Sequence, residues 1–111
     1  MPFCLGPHFI ESVNNANLDI NIVVLEKIIR IAAAVIVDKA MEVKCNLRHL
    51  RASKTADSPQ RVRPDDGAKA WRLTLTDQGV GWRMHYWRIP GEKNIIEFAN
   101  VLKKSDPEEI Y

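Results

Sequence analysis

The sequence predicts an α+β domain, with an antiparallel sheet of about four strands packed against one long helix. Three observations carry this expectation. Residues 71–102 hold three runs in which apolar and polar side chains alternate, the period of a strand with one buried face. Short turn-like segments at 77–81 and 90–93 join them, connections that suit only antiparallel neighbours. Between Ile20 and Ala40 there is no Gly or Pro, and apolar residues recur at helical spacing. A chain of 111 residues is one domain, 1–111, and 46% hydrophobic residues suffice for a core without disulfide or metal support.

In chain order, Gly6-Pro7 marks a turn after a short strand or irregular lead-in. His8 to Val13 starts a short helix, and the Asn14-Asn15-Ala16-Asn17 stretch breaks it. Asp19 offers an N-cap for the long helix. That helix carries two apolar stripes. Ile22, Leu25, Ile29, Ala32 and Ile36 form one, expected to face the sheet. Val24, Ile28, Ile31 and Val35 form the other, expected to meet a second copy or a partner chain. Met41, Val43, Cys45 and Leu47 then alternate with Glu42, Lys44, Asn46 and Arg48, the pattern of a half-buried strand. Residues 53–67 contain two prolines and three aspartates without apolar periodicity. They read as a mobile loop, and a loop of that length in a small domain is often functional, which draws attention to Arg61 and Arg63.

The three closing strands are Trp71–Thr76, Trp82–Ile89 and Asn94–Leu102. Alternation assigns Trp71, Leu73, Leu75, Trp82, Met84, Tyr86, Ile96, Phe98 and Leu102 to the core face. Arg72, Thr74, Arg83, His85, Trp87 and Glu97 fall on the other face. Symmetric turns set Thr74 opposite Arg83, Arg72 opposite His85, and His85 opposite Glu97, unless a bulge at Gly79 or Gly81 shifts the register.

Composition excludes several classes. The net charge of +2 does not by itself call for a nucleic-acid partner, so position must decide. Cys4 and Cys45 are too few for a disulfide framework, and with His8 and His49 they lack zinc spacing, so no metal or other cofactor is expected. The longest apolar run, Ile31 to Val37, is far below the roughly 18–20 residues that span a bilayer. The start of the chain lacks the basic and apolar regions of a signal peptide, so a cytoplasmic protein with no membrane partner is expected. No GxSxG, phosphate-binding Gly loop, HExxH or paired-Cys spacing is present.

What remains is a basic, aromatic surface. Arg and Lys bind phosphates, and an exposed Trp stacks on unpaired bases. The candidates are Arg72, Arg83, His85, Trp87, Arg88, Lys103, Lys104 and Tyr111. Each has a plainer reading beside this one. Arg72 and Arg83 can be cross-strand partners of Glu97, His85 a paired sheet residue, and Lys103-Lys104 a solubilising pair.

The segment GWRMHYWRIPGEKNIIEFANVLKKSDPEEIY resembles the C-terminal half of the RelE/ParE superfamily of small toxins. The shared pattern is Trp82-Arg83 in one strand, Tyr86 a short way on, a turn, the apolar run Ile95–Leu102, and then Lys103-Lys104 before an acidic stretch. The resemblance is concentrated in residues 69–111; upstream, only the order and length of elements agree. It implies a RelE-like sheet on one or two helices, and a metal-free endoribonuclease acting on ribosome-bound mRNA. Such a protein is the toxin of a toxin–antitoxin pair, so the implied partners are the antitoxin, the ribosome and its message. Carried over residue by residue, the catalytic set is Arg83, Lys104 and Tyr111. His85 joins it as an acid or base near neutral pH, and Arg72, Trp87 and Lys103 bind RNA. Lys104 stands where these enzymes often have Arg, and the stretch before Tyr111 is one residue longer. The alternative is a non-catalytic binding or interaction protein on the same fold, ParE-like or degenerate, acting as a homodimer.

Overall fold

The computed structural model describes every residue except 19, 20, 54, 56, 77, 78, 92 and 93. The cap expected at Asp19, the helix start at Ile20 and parts of both turns therefore lie outside the described residues. The elements run β1 (Phe3–Leu5), α1 (Phe9–Asn15), α2 (Ile22–Ile36), a 3₁₀ turn (Ala40–Glu42), β2 (Arg48–His49), β3 (Lys69–Thr76), β4 (Trp82–Ile89) and β5 (Ile95–Lys103). The fold is α+β, as the periodicities require. The sheet has five strands in the order β1-β5-β4-β3-β2. It is mixed, because β1 lies parallel to β5 while the other pairs are antiparallel. Two helices, not one, cover it: α1 packs on β5 and α2 on β3.

The helix α2 is shorter than its apolar composition suggests. Asn21 caps its start, the side chain accepting from the Val24 amide at 3.3 Å. Asp38, at φ 59°, turns the chain left-handed just beyond its end. The main core stripe is the other one, although Ala32 and Ile36 of the expected stripe also pack against the core. Val24, Ile28, Ile31 and Val35 enter the core, whereas Ile22 (77% exposed) and Ile29 (63% exposed) face outward. The stripe expected to meet a partner chain is thus the one that meets the sheet.

The run from Met41 to Leu47 is not a strand. Asn46 adopts φ 50°, which interrupts an extended path, and only Arg48–His49 pairs with β3. Alternate residues still turn inward: Cys45 is buried, with Val43 and Leu47 packed beside it. The Cys45 carbonyl accepts from the Thr74 amide at 2.7 Å, so this segment runs against the sheet without forming a ladder. Both cysteines are free thiols.

On the core face, Leu73, Leu75, Trp82, Met84, Tyr86, Ile96 and Phe98 sit as alternation predicts. Trp71 packs against that cluster and stacks on Tyr86. Leu102 does not. Tyr86 pairs with Phe98 but His85 pairs with Asn100, leaving Ala99 as an extra residue in β5. Beyond this bulge the faces exchange, so Val101 joins the core and Leu102 lies opposite Arg83. Glu97 faces Trp87 and not His85, because the register that starts at Ile89–Ile95 beside the turn is two residues away from the symmetric one expected. The expected pairs Thr74–Arg83 and Arg72–His85 both form.

Leu50 and residues 60–63 lie beside the start of β3. The Leu50 amide donates to the Ala70 carbonyl at 3.0 Å, Arg61 to Leu50 at 2.8 Å, and Arg63 to Ala68 at 2.8 Å. Within the 53–67 segment, the backbone of Arg61 bonds to Leu50 and Ala70 and that of Arg63 to Ala68.

Phe98 touches Phe3, Phe9 and Tyr86 and joins α1, β1 and the sheet in one cluster. Phe98→Ala should cost about 3–5 kcal/mol in chemical denaturation. Ile29→Ala, on the outward stripe, should change stability by less than about 0.5 kcal/mol.

Candidate anion site beneath an acidic segment

The second sheet face gathers cations because of its register. Arg48 on β2 pairs with Arg72 on β3, Arg72 pairs with His85 on β4, and His85 pairs with Asn100 on β5. Paired residues share a face, so these four form one row across the sheet. Arg83, opposite Thr74, lies next to it. Like charges directly opposite each other are unfavourable in a sheet, so a row of this kind requires a counter-charge.

Glu108 supplies it from within the chain. One carboxylate oxygen, Oε2, accepts from Arg72 Nη1 at 2.8 Å. The other, Oε1, lies 3.2 Å from Arg83 Nη1 and 3.3 Å from His85 Nε2. The expected partner of these arginines, Glu97, is elsewhere: its Oε2 accepts from Arg63 Nη1 at 2.7 Å. Donation from His85, followed by the charges of Arg72 and Arg83, outweighs partial burial and holds the Glu108 carboxyl down at about 2.

His85 is fully buried. Its Nδ1 lies 3.2 Å from the Glu109 carbonyl and 3.3 Å from Asn100 Oδ1. Asn100 also donates from Nδ2 to the Glu109 carbonyl at 2.9 Å. Residues 108–109 thus lie over the row, one by its side chain and the other by its backbone. Ile110 then packs against the small apolar cluster of Leu50, Ala68, Ala70, Trp87 and Ala99, and Tyr111 meets His8 edge-on with ring centroids 5.8 Å apart.

Two cavities flank this contact. The smaller, about 230 Å³, is lined by Arg48, Arg72, Arg83 and Lys104 together with Asn46, Leu73 and Thr74. Four of its lining residues are cations and none is an acid. The larger is an open groove of about 1190 Å³ that shares Arg48, Arg72 and Arg83, adds Arg51 and Arg61, and is bordered by residues 105–109.

Of the residues proposed from sequence, Arg72, Arg83 and Lys104 therefore come together, and His85 lies beneath them. Lys103 pairs with Trp82 and so belongs to the opposite face, at the end of the sheet. Trp87 is 7% exposed, with the Arg63 guanidinium 5.0 Å above its ring, so its stacking face is occupied from within. Tyr111 stands by His8, away from the cation row. Arg88 donates to Asn94 at 3.1 Å near the far turn. Sequence reasoning missed Arg48 and Glu108. Arg48 ends the run from Met41 expected as a strand, of which only Arg48 pairs with the sheet, and Glu108 is 36 residues from Arg72, beyond any local pattern. Among the described residues no cluster of His, Cys, Asp and Glu could hold a metal ion, and no helix is long and apolar enough to cross a membrane.

No family model, curated protein or solved structure matches the chain.

The depressed Glu108 carboxyl fixes the sign of one pH effect. Its contribution to stability is fully present above its ordinary value of 4.5 and is lost as pH falls towards about 2. Thermal unfolding followed from pH 5 to pH 2 should show a decline that Glu108→Gln reduces. Equal declines in both proteins would assign acid sensitivity to other carboxylates.

Proposed function

We propose that the domain binds the sugar–phosphate backbone of RNA at the Arg48/Arg72/Arg83/Lys104 pocket and acts as a metal-free endoribonuclease on ribosome-bound mRNA. The observation that supports this most is the 230 Å³ pocket with four lining cations and no lining acid. A cluster of this kind suits an anion with several oxygens, and guanidinium groups suit phosphate in particular. The resemblance of residues 69–111 to RelE/ParE toxins supplies the reaction and the biological setting: a toxin neutralised by an antitoxin, with the ribosome and message as its target.

The chemistry asks three things of the site. The 2′-OH must lose a proton as it attacks the adjacent phosphorus, the pentacovalent transition state must be stabilised, and the departing 5′ oxygen must gain a proton. Arg83 and Lys104 provide the charge at one pocket. His85 is the candidate acid or base, and with its Nε2 3.3 Å from Glu108 the ring comes into play once that carboxylate moves. The ribosome's part is to hold the message in register.

A second reading has its own observation. His85 is fully buried and engaged at both ring nitrogens, and Tyr111 lies apart from the cation row. A protein that binds an anion without cleaving it, on the same fold, needs no free acid or base. Induced expression separates the two. On the enzymatic reading the unsubstituted chain arrests growth and cuts ribosome-bound message, and Arg83→Ala lowers the cleavage rate by about 10²-fold or more. Lys104→Ala should weaken both effects. RNA binding without cleavage or growth arrest would establish the non-catalytic reading, and absence of both binding and cleavage would remove RNA from the account.

A further inference from the structure

We propose that residues 105–111 are an internal stand-in for the phosphate ligand, with Glu108 occupying the Arg72, Arg83 and His85 donors beside the four-cation pocket and nucleic acid engaging them only as this segment leaves. The inference rests on the RNA-binding reading above and adds a regulatory step to it.

The geometry of the carboxylate carries the argument. Its two oxygens meet three donor groups: Oε2 takes Arg72, and Oε1 lies between Arg83 and His85. A phosphodiester offers two non-bridging oxygens with the same negative charge, so it can take the same donors. Phosphate and carboxylate cannot both occupy this position without placing like charges together. Binding at full strength therefore requires displacement of Glu108.

The manner in which the segment is held suits displacement. Residues 107–111 have no helix or strand pairing. Asp106, Pro107, Glu109 and Tyr111 are exposed, and the apolar anchor is Ile110, itself only partly buried. What holds the segment is mainly polar: the Glu108 ion pairs, and the Glu109 carbonyl shared by His85 and Asn100. These are the contacts that a competing polyanion replaces. The groove supports the same conclusion. Arg48, Arg51 and Arg61 extend the basic surface away from Glu108 along a groove whose other border is this segment. An RNA strand can therefore first contact that outer part, and its next phosphate then contends with Glu108.

The test uses the whole chain and a fluorescein-labelled ten-nucleotide oligouridylate, with binding followed by anisotropy over a range of salt. Glu108→Gln should tighten binding by at least about tenfold, because it removes the competing charge and leaves the arginines in place. Glu109→Gln, which keeps the backbone carbonyl, should alter binding by less than about threefold. Arg72→Ala should weaken binding in the unsubstituted and the Glu108→Gln background alike. Binding that Arg72→Ala weakens but Glu108→Gln leaves unchanged or lowers would retain the RNA site and overturn the stand-in. Absence of binding in all variants would overturn both. A polyglutamate that binds as tightly as the oligouridylate would assign the site to acidic protein segments and overturn the nucleic-acid proposal.

Because Glu108→Gln leaves cations without their counter-charge, it can also loosen the fold, and a second measurement avoids substitution. In the unsubstituted chain, saturation with the oligouridylate should move the backbone NMR resonances of residues 108–111 to random-coil positions with narrow lines. Retention of their folded shifts while the Arg72 and Arg83 side-chain signals move would overturn the proposal.

Discussion

The Glu108 carboxylate between Arg72, Arg83 and His85 is the interaction on which the second half of this structure depends. The sheet brings Arg48, Arg72 and His85 side by side across its strands, none of the residues paired with them is an acid, and Glu97 on the same face is engaged by Arg63. Without a carboxylate from elsewhere, two guanidiniums and a fully buried imidazole would share a poorly solvated patch. The segment that carries Glu108 also brings Glu109 and Ile110 over the face, so one electrostatic requirement closes a surface that strand alternation alone would leave wet.

The two faces of the sheet are accordingly built by different physics. Toward the helices, a continuous apolar cluster runs from Phe9 through Val24 and Ile31 to Leu73, Met84 and Phe98, and its cohesion is hydrophobic. On the other side, small residues such as Ala68, Ala70 and Ala99 allow Trp87 to be covered closely, while Arg63 clamps Asp66 and Glu97 at 2.7 Å each across the same ring. Polar closure is the more readily exchanged of the two, since a different anion can satisfy the same donors. That asymmetry is why the functional reading is placed on this face and the stability of the fold on the other.

Much of the fold was legible in the sequence, and the gaps have identifiable causes. Strands β3 and β4, and β5 as far as Phe98, were readable because apolar residues that reach the core alternate with residues on the other face, a condition that fixes period two. The register near Thr74–Arg83 and Arg72–His85 followed from short connections. The bulge at Ala99 was not readable: Ala99, Asn100, Val101 and Leu102 fit either phase, because three of the four are apolar and all are buried in the fold. The face of α2 was ambiguous for a related reason, as both stripes are aliphatic and only the sheet decides between them. Asn46 and Asp38 held usable warnings, since Asn and Asp are the residues that most readily turn left-handed after glycine; Asp38 lies just past the end of α2, and Asn46 interrupts the segment expected to be a strand. Of the site, the cations could be assembled from alternation, but their counter-ion could not. A face with two arginines, a histidine and one acid left a charge imbalance, and the unassigned acids near residue 108 were the available hint.

A double-mutant cycle between Glu108 and Arg72 tests the central claim most directly, with unfolding free energies measured in urea near pH 7. If Glu108 is the counter-charge that the cation row requires, Arg72→Met should destabilise the unsubstituted protein, where it removes an ion pair. In the Glu108→Gln background it should be neutral or stabilising, because it removes one of several unbalanced charges. The coupling should then exceed about 1 kcal/mol. Equal destabilisation by Arg72→Met in both backgrounds, with coupling near zero, would contradict the account and leave the contact as a wet surface pair.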